Sequence, residues 1–298
     1  MKTILLALPL VLAGCLDEMP DESSVDQAAT GEQDLHGAPE HLNMAKGAHG
    51  GGGGASSALM TFHGGTVFVT NKTEAVFWGD WSNPGDKVTG LDSFFEGFGG
   101  SHYASDSTEY TGTNGRVTTS STYLGHVFDT SAAPRKALTT NTAVAEACKI
   151  TNNAPDPTAL YLLYTSTGAG HVSYCAWHSW GTCSNGAPVQ VAYMPNLDGI
   201  AGCDPSDPTG QRSEGLSALA NVTAHELSET ITDPRGDAWY DASGQENGDK
   251  CAWSFPAGAE PVKFSNNTTW WVQGEWSNAA FTANTGFPNL SGQNGCLY

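Results

Sequence analysis

Apolar positions along the chain follow two patterns: short β-branched or aromatic runs, and longer segments with helical spacing. The short runs predict strands at residues 67–70, 74–78, 158–168 and 187–196. The first two runs flank an Asn-Lys pair, which indicates a hairpin or two neighbouring strands.

Three segments have helical spacing. One begins after Pro84 and stops at Gly99, and a weaker one covers residues 139–153. The strongest covers residues 213–234, where an Asp-Pro pair ends it. The region after it is rich in tryptophan, asparagine and glycine and predicts loops with short strands, so we expect an α+β fold. The apolar positions of the strongest helix are Leu216, Leu219, Ala220, Val222 and Leu227.

The N-terminus has the pattern of an export signal. Lys2 precedes an apolar run at residues 4–13, and "LAGC" at residues 12–15 resembles a bacterial lipobox. We therefore expect a signal peptide over residues 1–14 and a lipid on Cys15. The alternative is a plain secretory signal with a chance cysteine. No other window reaches about 18 apolar residues, so the lipid is the only membrane contact we expect.

Residues 15–57 are polar and acidic and contain a run of glycines near their end. Such a segment buries too little apolar surface to offset the entropy of ordering, so we predict a disordered, flexible tether. His36, His41 and His49 lie in it and are expected to be solvated. Residues 58–298 show no internal linker and are predicted to form a single domain.

The charge of the chain excludes one class of partner. The 12 Lys and Arg residues are outnumbered by 31 Asp and Glu residues, which gives a formal net charge of −19. Nucleic acid and anionic lipid surfaces attract basic proteins, so we expect neither as a partner. The acidity suits an exported protein or the binding of cations.

Six cysteines remain after Cys15, and in an exported chain this even number predicts up to three disulfides. Cys175 and Cys183 are near enough in sequence to close a small loop, which makes them one candidate pair. The sequence has no CxxC pair, which argues against cysteine-bound zinc. It has no GxSxG motif either, so nucleophilic serine or cysteine chemistry has no candidate.

The segment "NVTAHELSETITDP", residues 221–234, contains the candidate chemistry. It differs by one residue from His-Glu-x-x-His, the zinc motif of zincin metallopeptidases. On a helix, His225 and Glu229 lie about 6 Å apart on one face, and both side chains are acceptable zinc ligands. Glu226 beside them would be the general base. The alternative is an ordinary solvated helix face.

A third zinc ligand must come from another segment. Asp233 lies about 12 Å further along the helix and is too far. Glu246 and Asp249 follow after a loop, and we predict Glu246, since a downstream glutamate completes the site in thermolysin-like zincins. His171 and His178 are the nearest histidines, but a histidine beside tryptophans is more often packed than a ligand.

Oxygen ligands near the end of this helix also suggest calcium. Closely spaced Asp and Asn with glycine suit that ion, although they also form turns and do not match an EF-hand. The candidates are Asp233, Asp237, Asp241, Asn247 and Asp249.

The order of the elements is similar to that of matrix-metalloprotease-like zincins. In those proteins a strand, here at residues 187–196, and an irregular loop precede the His-Glu helix, and an edge strand lies above that helix. The resemblance implies a zincin-like domain with a mixed sheet and an active-site helix.

Four motifs in the same order resemble the EXORDIUM-like, phosphate-induced protein family. They are "MTFHGGTVFVTNKTEAVFWGDW", "VSYCAWHSW", "AHELSETITDP" and "AWYDASGQENGDKCAW". The likeness extends from about residue 60 to residue 296, and it is closest to bacterial members with a His-Glu-x-x-Glu helix followed by Thr-Asp-Pro. It implies an exported, disulfide-containing protein of the cell surface or wall, and it supplies no established reaction.

Two functional hypotheses follow. The first is a surface-anchored, metal-dependent peptidase-like hydrolase of extracellular protein or cell-wall peptide. His225, Glu229 and Glu246 would bind zinc in it, and Glu226 would be the base. The second is a non-catalytic surface protein whose helix is structural or carries calcium. Its partner would be a cell-wall carbohydrate that contacts aromatic residues in the segment 268–278.

These aromatic residues are more often part of a core than of a binding surface. They are Trp270, Trp271 and Trp276.

Overall fold

A mixed five-stranded sheet lies at the centre of the folded chain and confirms the α+β class. A computed structural model describes residues 58–255, 258 and 260–298. The predicted signal peptide, the lipid on Cys15 and the tether of residues 15–57 lie outside the described residues. The domain boundary at residue 58 stays a prediction.

The described residues contain six α-helices and two short 3-10 helices. The α-helices are α1 (Lys87–Phe98), α2 (His102–Asp106), α3 (Thr140–Ile150), α4 (Glu214–Thr232), α5 (Asn247–Lys250) and α6 (Asn278–Ala283). The 3-10 helices are Ser107–Glu109 and Ala201–Cys203.

The strands before α4 are mostly long, and those after it are short. They are β1 (Thr61–Phe62), β2 (Asn71–Trp78), β3 (Thr111–Gly112), β4 (Gly115–Arg116), β5 (Ser121–Asp129), β6 (Ala159–Thr165), β7 (Trp177–Thr182), β8 (Pro188–Met194), β9 (Trp239–Tyr240), β10 (Val262–Lys263), β11 (Thr269–Trp270), β12 (Glu275–Trp276), β13 (Phe287–Pro288) and β14 (Asn294–Leu297).

The central sheet has the strand order β5-β2-β6-β8-β7. The first four strands are parallel to one another, and β7 pairs antiparallel with β8 at the edge. All seven residues of β6 are buried, as expected for a parallel strand that is covered on both faces. The sheet is therefore mixed, with one antiparallel edge strand.

One of our strand predictions was wrong. Residues 67–70 form no strand, and β2 begins at Asn71, so there is no hairpin at this position. Instead, the Phe68 N–H donates to Ile231 O at the end of α4, which holds this segment beside the helix. The strand predicted at residues 187–196 is confirmed as β8. It lies inside the sheet, and the edge strand near α4 is β7.

The helices cover the two faces of the sheet. Helices α1 and α4 contact each other, and α4 also packs on β7 and β8. Helix α3 lies on the other face, where a Cβ on Gly181 of β7 would come 2.7 Å from Val144. Alternate residues of a strand point to opposite faces, so His178 of the same strand points toward α4.

Helix α4 begins and ends where the sequence predicts. The hydroxyl of Ser213 accepts from Leu216 N as its N-cap, and Asp233 is the C-cap residue before Pro234. Every residue from Gly215 to Thr232 is buried, including all the polar ones. The solvated helix face is therefore excluded.

Three disulfides are present, as predicted, and they are consistent with an exported protein. They join Cys148 to Cys183, Cys175 to Cys203 and Cys251 to Cys296. The candidate pair Cys175–Cys183 is wrong because β7 extends between these cysteines, and six extended residues span roughly 20 Å. None of the described helices is long and apolar enough to cross a bilayer.

Candidate metal centre

His225 and Glu229 meet inside the molecule, one turn apart on α4. The distance from His225 Nε2 to Glu229 Oε1 is 3.0 Å, and both side chains are fully buried. Burying an imidazole and a carboxylate away from water is unfavourable unless each has a partner nearby. The helix thus brings the two residues together as the sequence predicts.

The third member of this group comes from α5. Asp249 Oδ1 lies 3.6 Å from His225 Nε2, and Asp249 N–H donates to Glu229 Oε1 at 2.9 Å. The ligand atoms of His225, Glu229 and Asp249 all lie within 4.8 Å of one another. We call these three residues the primary group.

The structure places Glu246, the third ligand that we predicted, beside His178 instead. Glu246 Oε2 lies 3.7 Å from His178 Nε2. Glu246 is also the N-cap of α5 and forms a capping box with Asp249. A carboxylate three residues later on the short helix is therefore the one that reaches His225.

Gly248 allows α5 to approach α4 this closely. A Cβ at this position would lie 3.0 Å from both Glu229 Oε1 and His225 Cγ, which is tighter than ordinary van der Waals contact. The absence of a side chain at residue 248 thus brings Asp249 within reach of the other two ligands.

His178 is the site residue that the sequence did not indicate strongly. Its Nδ1 lies 3.1 Å from Glu226 Oε2 and 3.4 Å from Glu229 Oε2. It is 11% exposed and forms a second group with these two glutamates. It comes from β7, 47 residues before His225, and only the fold brings it here. His171, by contrast, is exposed.

Three buried atoms of these residues have no hydrogen-bond partner among the described residues. They are His225 Nε2, Glu226 Oε1 and Glu229 Oε2. An unsatisfied buried polar group costs about 1–3 kcal/mol. Of these atoms, His225 Nε2 faces the primary group, and with the carboxylates of Glu229 and Asp249 it offers a donor set that suits zinc. The primary group therefore fits this metal.

Gln273 fixes the ring of His225 from behind. Its amide nitrogen lies 2.9 Å from His225 Nδ1 and donates to Gly248 O at 2.8 Å. The Gln273 main chain is held as well, because its N–H donates to Asn221 Oδ1 and its carbonyl accepts from Tyr103 OH. The contact holds the ring from its Nδ1 side and leaves Nε2 directed at Glu229 and Asp249.

A second buried network holds α5 in place. Asn247 Nδ2 donates to Ser107 Oγ and to Glu275 Oε2, and Asn247 Oδ1 accepts from Thr232 Oγ1. The hydroxyl of Ser228 donates to the other oxygen of Glu275. This network connects α5 with the back of α4, so it fixes the position of Asp249 relative to His225.

The electrostatics of the centre follow from its excess of carboxylates. Burial alone would lower the pKa of His225 and of His178, but the carboxylates around them raise both well above 6.5. Burial acts to raise the pKa of Glu229, yet the two imidazoles hold it below its ordinary value. A bound cation would therefore compete with protons for these imidazoles.

Glu226 differs from its neighbour in this respect. Burial raises its pKa, and the opposing effect of His178 and His225 is smaller. Glu226 is not part of the primary group, and its Oε1 is buried without a hydrogen-bond partner among the described residues. It is a carboxylate with raised basicity beside the primary group.

The calcium candidates do not assemble as a set. Asp233 Oδ1 accepts from the N–H groups of Asp237 and Ala238, and Asp241 accepts from Ser243 and Lys250. Within the described ranges, Asp249 is the only one of the candidates that belongs to a group of three possible ligands. The others form turns and buried contacts, and calcium stays a prediction without a site.

The tryptophans proposed for carbohydrate binding are mostly core residues. Trp270 and Trp276 are 1% and 0% exposed. Trp271 is half-buried, stacks on Phe255 and donates to Pro205 O. These contacts leave two of the three rings unable to meet a sugar.

Comparison of the chain with models of protein families, with curated proteins and with solved structures finds no match.

Proposed function

We propose that this protein is a zinc-dependent hydrolase that cleaves extended peptides outside the cell. The observation that carries the proposal is the buried primary group, with Glu226 next to it and the edge strand β7 beside it. His225, Glu229 and Asp249 would bind the zinc ion. A catalytic zinc site of this kind has three protein ligands.

Zinc in this position supplies a Lewis acid that polarises a carbonyl group and increases the acidity of water. Glu226 is the proposed general base. Its raised pKa makes it a better proton acceptor near neutral pH than an exposed glutamate. His178 contacts its other oxygen at 3.1 Å and holds the carboxylate in place.

Strand β7 supports a peptide substrate. One edge of β7 pairs with β8. In the part of the chain that the structure describes, no strand pairs with the other edge of β7. An extended peptide can add to such an edge through main-chain hydrogen bonds. Because His178 lies in β7, a peptide bound there would pass the buried centre.

The setting of this activity is outside the cytoplasm. The three disulfides support export, and the lipid on Cys15 would hold the enzyme at the cell envelope. We also propose that the chain is a member of the EXORDIUM-like family, which implies the same location. Extracellular protein or cell-wall peptide is the expected substrate.

The test separates zinc binding from catalysis. Glu226→Gln should retain zinc but lose about a hundredfold or more of its hydrolysis of casein or gelatin, since a general base is removed. His225→Ala should lose zinc and activity together. Glu214→Gln changes an exposed glutamate in the first turn of the same helix and should retain both. Full hydrolysis by a zinc-loaded Glu226→Gln variant would contradict the proposal.

A further inference from the structure

Glu229 connects two groups of possible ligands. Its Oε1 faces His225 at 3.0 Å, and its Oε2 lies 3.4 Å from His178 Nδ1. His178, Glu226 and Glu229 have ligand atoms within 4.8 Å of one another, as in the primary group. We call these three residues the secondary group.

We propose that the secondary group is a second, weaker site for a divalent cation of the zinc type, and that its occupancy inhibits the enzyme. The inhibition rests on the proposed function, because Glu226 belongs to this group. An imidazole and two carboxylates offer the same kinds of donor as the primary group.

The unsatisfied atoms in the secondary group point to a ligand. Glu226 and Glu229 are fully buried, and Glu226 Oε1 and Glu229 Oε2 have no hydrogen-bond partner among the described residues. A cation in the primary group would engage Glu229 from its Oε1 side, where His225 lies. Glu229 Oε2 and Glu226 Oε2 would still face His178 Nδ1.

The charge of the centre also favours a second cation. Four buried carboxylates surround the two imidazoles, and one divalent ion balances only two of them when the imidazoles are neutral. A second divalent ion balances the other two. The carboxylates belong to Glu226, Glu229, Glu246 and Asp249.

The two sites should fill in sequence. Cations that share one carboxylate repel each other, so the second binds more weakly than the first. The primary group has a fully buried imidazole whose ring is fixed by Gln273, which favours the first ion. His178 is 11% exposed and lies nearer to solvent, so the secondary group should exchange its ion more readily.

Occupancy of the secondary group removes the proposed base. A cation that binds Glu226 takes the electron pair that would otherwise accept a proton from water. Low concentrations of zinc should therefore support hydrolysis, and an excess should suppress it. The same metal would activate and inhibit through neighbouring groups.

The experiment is a zinc titration of metal-free protein, followed by calorimetry, with cobalt absorption as a second readout. The wild-type protein should bind two ions, the second roughly tenfold or more weakly because of the repulsion. His178→Asn should bind one ion. Its matched control is His171→Asn, which changes an exposed histidine seven residues earlier and should still bind two.

Glu226→Gln provides a second variant with a smaller change, and it should also bind a single ion tightly. Circular dichroism of each variant shows whether it is folded. One ion in the wild-type protein, or two in folded His178→Asn, would overturn the secondary site and leave the proposed function intact. Loss of all zinc binding in the wild-type protein would overturn both.

Discussion

At the scale of single residues, the centre depends on which carboxylate of α5 reaches His225. Asp249 does so, and Glu246 faces His178. Removal of a ligand weakens zinc binding directly, whereas a change in a neighbour outside the primary group acts only through the orientation of the ligands.

We therefore predict different effects for two conservative changes. Asp249→Asn should weaken zinc binding more than about a hundredfold, since it replaces a charged ligand with a neutral one, while Glu246→Gln should weaken it only about tenfold. Calorimetry at the tight binding step measures both. Equal losses in the two variants would show that Glu246 also belongs to the tight site.

The residues within one helix could be predicted from the sequence, and those from elsewhere could not. His225, Glu226 and Glu229 follow from helical spacing alone. His178 could not be selected, because nothing local distinguishes it from a packed histidine. The choice between Glu246 and Asp249 depended on how a four-residue helix docks, which no periodicity reveals.

At the scale of elements, the critical contact is the approach of α5 to α4 at Gly248. A methyl group there must push against Glu229 or His225. Tightly packed positions respond to such insertion with shifts that cost about 1–3 kcal/mol.

Gly248→Ala should accordingly lower both the zinc affinity and the free energy of unfolding. Its matched control is Gly168→Ala, where the new Cβ lies 3.4 Å from Asn196 O, an ordinary contact. Calorimetry and urea unfolding measure the two quantities. A Gly248→Ala protein with unchanged zinc affinity would show that α5 can move without loss of the centre.

Before residue 234, three helices and strands β2, β6 and β8 could be predicted, whereas β5, β7, the short elements and the arrangement could not. Helices α1, α3 and α4 lie where apolar spacing and caps indicate. The position of β8 inside the sheet and of β7 at its edge depends on contacts between distant segments, and both strands have apolar residues. The short strands after α4 leave almost no periodic pattern, so only their general character could be predicted.

At the scale of the whole molecule, buried acids make stability depend on pH. Burial, together with the carboxylates of Glu275 and Glu109, raises the pKa of Asp106 to about 9. The unfolded chain releases this proton near 3.8, so between 3.8 and about 9 only the folded state retains it. The stability that this group provides is present below 3.8 and is lost as the pH rises toward 9.

Asp106→Asn should therefore flatten the decline of stability with pH and make the protein about 1–3 kcal/mol more stable at pH 8. Urea unfolding at pH 6 and pH 8 measures this. Glu260→Gln removes an exposed charge and should follow the wild-type curve. If Asp106→Asn declines as steeply as the wild-type protein, the proton is not held there.

The bridge from Cys251 to Cys296 begins at the residue directly after α5 and fastens that helix to β14. Inside a reducing cytoplasm this link would not persist, and α5 would be held only by its hydrogen bonds. We expect α5 to take its final position on α4 only after this disulfide has formed in an oxidising compartment. The same disulfide would therefore control when the centre assembles as well as stabilise it.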